Sequence, residues 1–217
     1  MGFPVEGQAV AGKKLFTEAE EARIKNAIIA AEKNSAVEIV PFVTESCDSY
    51  PAVFWRMAIF LSFLIGGFLV YFQPHWDSLW ILCLQSLGLP LAFLLRYSSF
   101  LSRLFLDDYD SKAEVHERTL QIFHELGIHR TRKRTGILLF VALFERRVEI
   151  VCDTGIEEKI ARPEWEKITA ALAAGIRQGN LPEALAHAIL AAGDLARPLF
   201  PGSKDDENEL GDELVRK

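Results

Sequence analysis

The chain has 217 residues, half of them hydrophobic, and a formal net charge of −6 at pH 7. This acidic balance argues against nucleic acid as a partner, because binding to phosphates requires an excess of Lys and Arg. The mean hydropathy of +0.13 is high for a soluble chain, and two long apolar runs account for it. Outside those runs, enough chain remains for one compact domain.

The N-terminal part predicts a leader, a helix and a strand. Residues 1–12 have neither an apolar core nor a positive start, so we expect a disordered leader and no signal peptide. Thr17 and Glu20 have the spacing of a capping box, which predicts a helix start. A strand is expected at 36–43, and Pro41 should place it at a sheet edge or a bulge, because proline cannot donate to a neighbouring strand.

Residues 53–72 and 78–95 are apolar on all sides and are joined by a short polar turn at 73–77. A helix needs about 20 apolar residues to cross a bilayer core, and each run approaches that length. A helix on the surface of a soluble domain would show an apolar stripe instead. The pattern therefore predicts a transmembrane helical hairpin at 53–97, in which Gly88 permits close contact and Gln85 hydrogen-bonds across the hairpin. A buried hairpin in a soluble core is the alternative.

Basic residues predict the orientation of this hairpin. Arg56, Arg96 and Arg103 flank it, whereas the turn carries Asp77 and no Lys or Arg. The positive-inside rule then predicts an integral protein of the bacterial inner membrane, with both termini and the globular domain in the cytoplasm. Arg146 and Arg147 are expected to face the anionic inner leaflet, with a solvated turn as the alternative. The predicted membrane-facing residues are Trp55, Arg56, Trp76, Trp80, Arg96, Arg103, Arg146 and Arg147.

The second half of the chain predicts helices around two strands. A long helix at 111–126 should end at Gly127, and two more helices are expected at 164–178 and 182–195. The strand at 136–144 is apolar on both faces and therefore central, and the strand at 147–152 returns beside it. A two-residue turn at Glu145 and Arg146 would place Asp153 beside Leu138.

These elements predict an α/β fold, with a small mixed β-sheet covered by helices and the transmembrane hairpin inserted after the first strand. The first two strands should be parallel because a helix joins them, and the third should be antiparallel to the second. The predicted parts are a leader at 1–12, a discontinuous α/β domain at 13–50 and 107–202, the hairpin at 53–97, and a mobile charged tail at 203–217.

Several segments of the α/β domain resemble the TPM domain family. They are residues 38–41, 126–128, Thr131 with Arg134, 136–143, 145–150, 153–156 and Trp165. The similarity extends over about 15–201, and 134–156 is its most specific part.

The resemblance implies an α/β sandwich. Plant members of this family in the thylakoid lumen are associated with photosystem II repair and a weak acid-phosphatase activity, and animal members act as accessory subunits of receptors or respiratory assemblies. Exported members carry a targeting segment, whereas we expect an internal hairpin and no signal peptide in this chain. We map no catalytic motif from the family onto it.

An acidic strand end is the main candidate site. Asp153 is followed by Gly155 and Glu157, and together with Glu38 these carboxylates could bind a hard cation such as Ca²⁺ or Mg²⁺ through oxygen. The alternative is structural: Asp153 caps the following segment, Arg134 or Arg132 neutralises it, and Glu38 is solvated at an edge. Without the cation, no cofactor is expected.

Other reactive residues give weaker signals. The chain lacks a nucleophile elbow, a phosphate-binding loop and a zinc-binding helix. His116 and His124 are eight residues apart, about 12 Å along a helix and too far for one metal ion. Cys47, Cys83 and Cys152 are scattered, as expected of reduced thiols in a cytoplasmic protein.

The sequence therefore predicts a membrane-tethered cytoplasmic TPM-like domain, acting as an accessory or protein-interaction module with a protein partner at the bilayer. The alternative is a divalent-metal-dependent phosphohydrolase with its acidic site at the Asp153 end of the sheet. No residue is assigned a catalytic role.

Overall fold

A computed structural model describes residues 15–33, 35–202, 210–211 and 213–216. The predicted leader at 1–12 and most of the predicted tail at 203–217 lie outside the described residues. Two elements precede the hairpin, α1 at Glu18–Glu32 and β1 at Glu38–Thr44. The predicted capping box is confirmed: Glu20 donates its backbone N–H to the Thr17 hydroxyl, and the Glu20 carboxylate accepts from the backbone N–H of Thr17.

Four helices lie between β1 and the second half of the chain. They are α2 at Pro51–Phe72, α3 at Ser78–Gln85, α4 at Gly88–Leu95 and α5 at Ser99–Leu104. The second predicted span is thus interrupted after Gln85. Gly88 lies where a Cβ atom would come within 2.5 Å of the backbone nitrogen of Ser62, so its lack of a side chain permits the close packing of α4 on α2. Gln85 packs against Gly66, and the predicted hydrogen bond from Gln85 is not seen among the described residues.

The second half follows the predicted order. Its elements are α6 at Asp108–Glu125, β2 at Gly136–Ala142, β3 at Arg147–Cys152, α7 at Thr154–Glu157, α8 at Arg162–Arg177, α9 at Leu181–Ala196 and β4 at Val215–Arg216. Gly127 ends α6 with a φ of 69°, a left-handed conformation that glycine adopts without strain. The strand β4 was not expected, because residues 203–217 were predicted to form a tail.

The sheet has the strand order β3-β2-β1-β4. As predicted, β1 and β2 are parallel, and β2 and β3 are antiparallel. Three strands are of ordinary length, and the two residues of β4 pair with Phe42 and Val43 of β1. Among the described residues, the outer side of β1 is paired with β4 at Phe42 and Val43 and not at Pro41, which fits the missing donor of Pro41.

The predicted register of the β2–β3 hairpin is wrong. Ala142 pairs with Arg147 and Ile137 with Cys152, so the connection has four residues, not two. The reason is that Leu143 and Phe144, which follow β2, do not pair with β3 but donate their backbone N–H groups to the carbonyls of Thr44 and Glu45. The shift brings Asp153 beside Gly136, where its N–H donates to the Gly136 carbonyl at 2.9 Å, and not beside Leu138.

The sheet separates two apolar clusters. Ile39, Ile137 and Leu139 face α1, α8 and α9, whereas Leu138 and Phe140 face α6. All seven residues of β2 are buried, as expected for a central strand.

The helices of the hairpin stand outside this core. Pro51–Phe72 and Ser78–Leu95 are long and apolar enough to cross a membrane, and only 22% and 11% of their most apolar stretches are buried. The alternative of a buried core hairpin does not fit this exposure. A small cluster of Met57, Ala58 and Ala92 holds the two helices together.

Candidate functional site

Asp153 lies at the end of β3 and caps α7. Its side chain is 4% exposed, and its Oδ1 atom accepts from the backbone N–H of Thr154 at 2.8 Å and from the Thr154 hydroxyl at 3.3 Å. The Oδ2 atom is buried and has no hydrogen-bond partner among the described residues. A buried carboxylate oxygen without a donor is costly.

The loop before β2 folds over this strand end. Arg134 lies with a guanidinium nitrogen 3.6 Å from Asp153 Oδ1 and donates to the His129 carbonyl at 2.6 Å. Gly155 faces the loop so closely that a Cβ atom would lie 2.7 Å from the Arg134 carbonyl oxygen. The structure thus places Arg134 against Asp153, as the structural alternative predicted.

The three predicted metal ligands, Asp153, Glu157 and Glu38, differ in position and in burial. Glu38 begins β1, on the other side of Gly136 from Asp153, and accepts from the Leu210 backbone N–H at 3.4 Å. Glu157 is exposed on α7. Among the described residues, no group of three or more His, Cys, Asp or Glu side chains is arranged to hold a metal ion. Metal binding by Asp153, Glu157 and Glu38 therefore stays a prediction.

A second buried carboxylate, Glu145, lies at the opposite end of the sheet. Its side chain is 8% exposed. Its Oε1 atom accepts from the Cys47 backbone N–H at 2.8 Å, the Tyr50 hydroxyl at 2.8 Å and the Ser46 hydroxyl at 3.2 Å. Within the described part of the chain its buried Oε2 atom has no partner. These bonds join the end of β2 to the segment that leads into the hairpin.

The charge of Glu145 acts on two neighbours. Burial raises the pKa of the Cys47 thiol to about 12, and the negative Glu145 adds to that rise. The pKa of Tyr50 is also raised, first by burial and then by its hydrogen bond to Glu145. Both groups therefore stay protonated at neutral pH, and Tyr50 remains a donor.

Sequence reasoning placed Glu145 in a solvent-facing turn and missed this site. The available signal was the parallel pairing of β1 and β2, which aligns Thr44 with Ala142. The chain segments that follow two parallel strands emerge at the same sheet edge, so residues after 44 should meet residues after 142. The left-handed conformation of Tyr50, with φ of 46°, turns its hydroxyl back onto Glu145.

The arginines that flank the hairpin contact the domain. Arg103 donates to the carbonyls of Phe144 at 2.8 Å and Leu143 at 3.1 Å, and Arg56 forms an ion pair with Asp110 at 2.8 Å. Further on, Arg147 pairs with Asp108. The other predicted membrane-facing residues are exposed; they are Trp55, Trp76, Trp80, Arg96 and Arg146.

The histidines do not form a metal site in the described residues. His116 contacts Glu149 at 2.6 Å. The 3-10 turn at Ile128–Arg130 brings the His129 ring to within 4.7 Å of the His124 ring, centroid to centroid, which the helical spacing alone could not show. The three cysteines are free thiols.

Comparisons with known proteins agree with the resemblance. Residues 102–195 match the TPM domain family. The structure is similar to the NMR structure of BA42 protein from the psychrophilic bacterium Bizionia argentinensis, with a TM-score of 0.61 and 21% identity over 94% of this chain and 97% of that one. At this identity the likeness shows the fold alone. A search of curated proteins gave no significant match.

Proposed function

We propose that the TPM domain at residues 102–195, completed by α1 and β1, is held at the cytoplasmic face of a membrane and acts there as an accessory module for a protein partner. One observation carries this proposal: the apolar side chains of Pro51–Phe72 and Ser78–Leu95 are mostly exposed. Exposure of so large an apolar surface to water is unfavourable, whereas the hydrocarbon core of a bilayer would cover it.

The junction between hairpin and domain supports an accessory role. Arg103, Arg56 and Tyr50 each bind a residue of the domain, so the domain would be fixed in position above the bilayer and not hang from a loose linker. The exposed Arg146 lies at the same sheet end, where each basic residue near an anionic surface contributes about 1 kcal/mol. A domain fixed in this way would present one constant face to a partner.

Membrane attachment is tested by fractionation of cells that express the full chain. We expect the protein in the membrane fraction after washing with alkaline carbonate and in the soluble phase only after detergent. Release by carbonate alone would contradict the proposal. The partner is then sought by cross-linking in intact membranes before solubilisation, with a chain that carries Arg146→Gln as a comparison.

The second candidate is a divalent-metal-dependent phosphohydrolase at the Asp153 end of the sheet. Its support is the buried Oδ2 atom of Asp153, which has no donor within the described residues. Asp153 and Glu157 would hold the ion, with Glu38 contributing from β1, and the ion would bind the phosphate oxygens. Carboxylate oxygens of this kind are the ligands that Ca²⁺ and Mg²⁺ prefer.

This candidate is tested by melting and by activity. If the ion binds, Ca²⁺, Mg²⁺ or Mn²⁺ should raise the melting temperature through linkage, and Asp153→Asn should remove the rise. Hydrolysis of p-nitrophenyl phosphate should show the same metal dependence. A flat metal titration in both chains would exclude the enzyme in this form, since Asn caps a helix about as well as Asp.

A further inference from the structure

A cavity of about 500 Å³ lies between the hairpin and the domain. The segment before α2 lines one side, and the segment from the end of α4 into α5 lines the other. Its volume is within the range of about 300–1,000 Å³ that is usual for small-ligand sites. Because Pro51 begins α2 and Arg96 follows α4, the cavity lies at the end of the hairpin where lipid headgroups would meet the domain.

The cavity carries one charge of each sign. Arg96 is held against the rings of Phe93 at 5.1 Å and Tyr97 at 5.5 Å, and Asp48 lies on the opposite segment. Within the described residues, neither side chain forms an ion pair. The other lining residues are mostly serines and aromatic residues, among them Ser46, Ser49, Ser99, Phe54, Trp55 and Tyr97.

The side of the cavity that carries Asp48 differs in charge from the side that carries Arg96. Ser46 and Tyr50 line the cavity, and both donate to the buried Glu145 carboxylate behind them. Tyr50 has a single hydroxyl proton and gives it to Glu145 at 2.8 Å, so it has no proton left to donate to an anion in the cavity. This end therefore favours a cation with N–H donors, whereas the Arg96 end favours an anion.

We infer that this cavity binds the headgroup of a phosphoethanolamine phospholipid, with the phosphate at Arg96 and the ammonium at Asp48. The inference rests on the proposed insertion of the hairpin in a bilayer. A choline headgroup has no N–H to donate, and a glycerol headgroup has no positive charge, so neither satisfies the Asp48 end. The acyl chains would leave along the exposed apolar surface of the hairpin near Trp55.

The inference is tested with the full chain in detergent, exchanged into an equimolar mixture of phosphatidylethanolamine, phosphatidylcholine and phosphatidylglycerol. Native mass spectrometry counts the lipids retained as the collision energy rises. We expect one phosphatidylethanolamine per chain to outlast the others, with a preference of about tenfold, the value of one charge-assisted hydrogen bond.

Two substitutions separate the roles of the charges. Asp48→Asn should remove the preference for ethanolamine over choline and leave phospholipid retention, whereas Arg96→Gln should lower the retention of all three lipids. Asp77→Asn is the matched control, because Asp77 lies in the turn at the other end of the hairpin and should change neither quantity.

The inference is overturned if the three lipids are retained equally, or if Asp77→Asn acts like Asp48→Asn. It is also overturned if soluble glycerophosphoethanolamine displaces the lipid at equal concentration, since the site would then take a free phosphate compound. If the protein stays in the membrane after carbonate washing but retains the three lipids equally, this inference fails and the proposed membrane attachment stands. A chain released by carbonate would defeat the proposed function and this inference together.

Discussion

Glu145 places a carboxylate beside two strand ends, and residues 46, 47 and 50 supply three donors to its Oε1 atom. A buried charge is tolerated when it accepts several hydrogen bonds. These donors come from the segment before the hairpin, so the carboxylate links the position of that segment to the end of β2. Removal of the Glu145 charge should therefore change the pKa of neighbouring groups.

Cys47 reports on that charge. Folding raises its pKa to about 12, first through burial and then through Glu145, whereas an unfolded thiol has a pKa of about 8.5. At pH 8 the folded thiolate fraction is then on the order of one in ten thousand, and we expect slow alkylation by iodoacetamide. Glu145→Gln should lower the pKa and speed labelling roughly tenfold for each unit of the fall.

The labelling is measured at single cysteines by peptide mass mapping. Cys152 is the internal control, because its pKa is raised by burial and by Glu157, not by Glu145. Equal acceleration at both cysteines would indicate general loosening of the fold and contradict the local effect. The raised pKa of Cys47 also fixes a sign: between the unfolded and folded pKa values the free energy of unfolding should fall as pH rises.

The close packing of helices α2 and α4 in the hairpin depends on a glycine. Gly88 of α4 lies against the backbone of Ser62 in α2, where a Cβ atom would come within 2.7 Å of its Cα atom. Gly67, in α2, has nothing within 4 Å of such an atom. The two positions therefore separate a packing role from the general cost of glycine in a helix.

Gly88→Ala should destabilise the hairpin by about 1–3 kcal/mol, because backbone atoms cannot move aside as a flexible side chain does. Gly67→Ala should be neutral, or stabilising by up to about 1 kcal/mol, since alanine is the better helix former. Thermal unfolding of the full chain in detergent measures both. Equal shifts of the melting temperature would show that α2 and α4 do not pack as closely as described.

The hairpin and the domain share few contacts, which bears on whether the domain folds alone. The two sheet clusters contain no residue of α2 to α5, whereas Tyr50 and Arg103 contact the turn after β2. We expect residues 13–50 joined by a Gly/Ser linker to residues 102–217 to form a soluble domain with a cooperative unfolding transition. A shorter form, 13–49 joined to 107–202, should be less stable, because it lacks both junction residues and β4.

Circular dichroism and denaturant titration compare the two shortened chains. The longer one should have the higher free energy of unfolding, with the difference reflecting the partners lost by Glu145 and by the carbonyls of Leu143 and Phe144. An aggregated product from the longer chain would mean that the hairpin belongs to the core of the domain.

For the whole molecule, patterns of local origin predicted most of the fold. The capping box at Thr17, the end of α6 at Gly127 and the apolar run of β2 each depend on neighbours in sequence, and the structure has all three. The parallel pairing of β1 and β2 also followed, because a long connection through a helix requires it.

Features that depend on distant contacts could not be predicted. The register of β2 and β3 was misplaced because Leu143 and Phe144 pair with the end of β1 and lengthen the turn. The burial of Glu145 depends on Tyr50, 95 residues away, and β4 joins β1 from the far end of the chain. The predicted parallel pairing of β1 and β2 could have brought the segment after β1 near Glu145, but a single sequence does not give the register or the partner of β4.

Orientation in the membrane is the last prediction, and it concerns the whole chain. Arg56, Arg96 and Arg103 lie at the domain end of the hairpin, and the turn between α2 and α3 has no Lys or Arg. By the positive-inside rule both termini should be cytoplasmic, so alkaline phosphatase fused after Lys217 should be inactive and green fluorescent protein fused there should fluoresce.

A matched control moves the positive charge from the domain end of the hairpin to its turn. A chain with Arg56→Gln, Arg96→Gln and Arg103→Gln, and with three lysines inserted at 73–77, should have the opposite orientation, and so the opposite reporter signals, in part of the population. Active alkaline phosphatase on the unaltered chain would place the TPM domain on the opposite side of the membrane and would also remove the inner leaflet as the surface that Arg146 and Arg147 face.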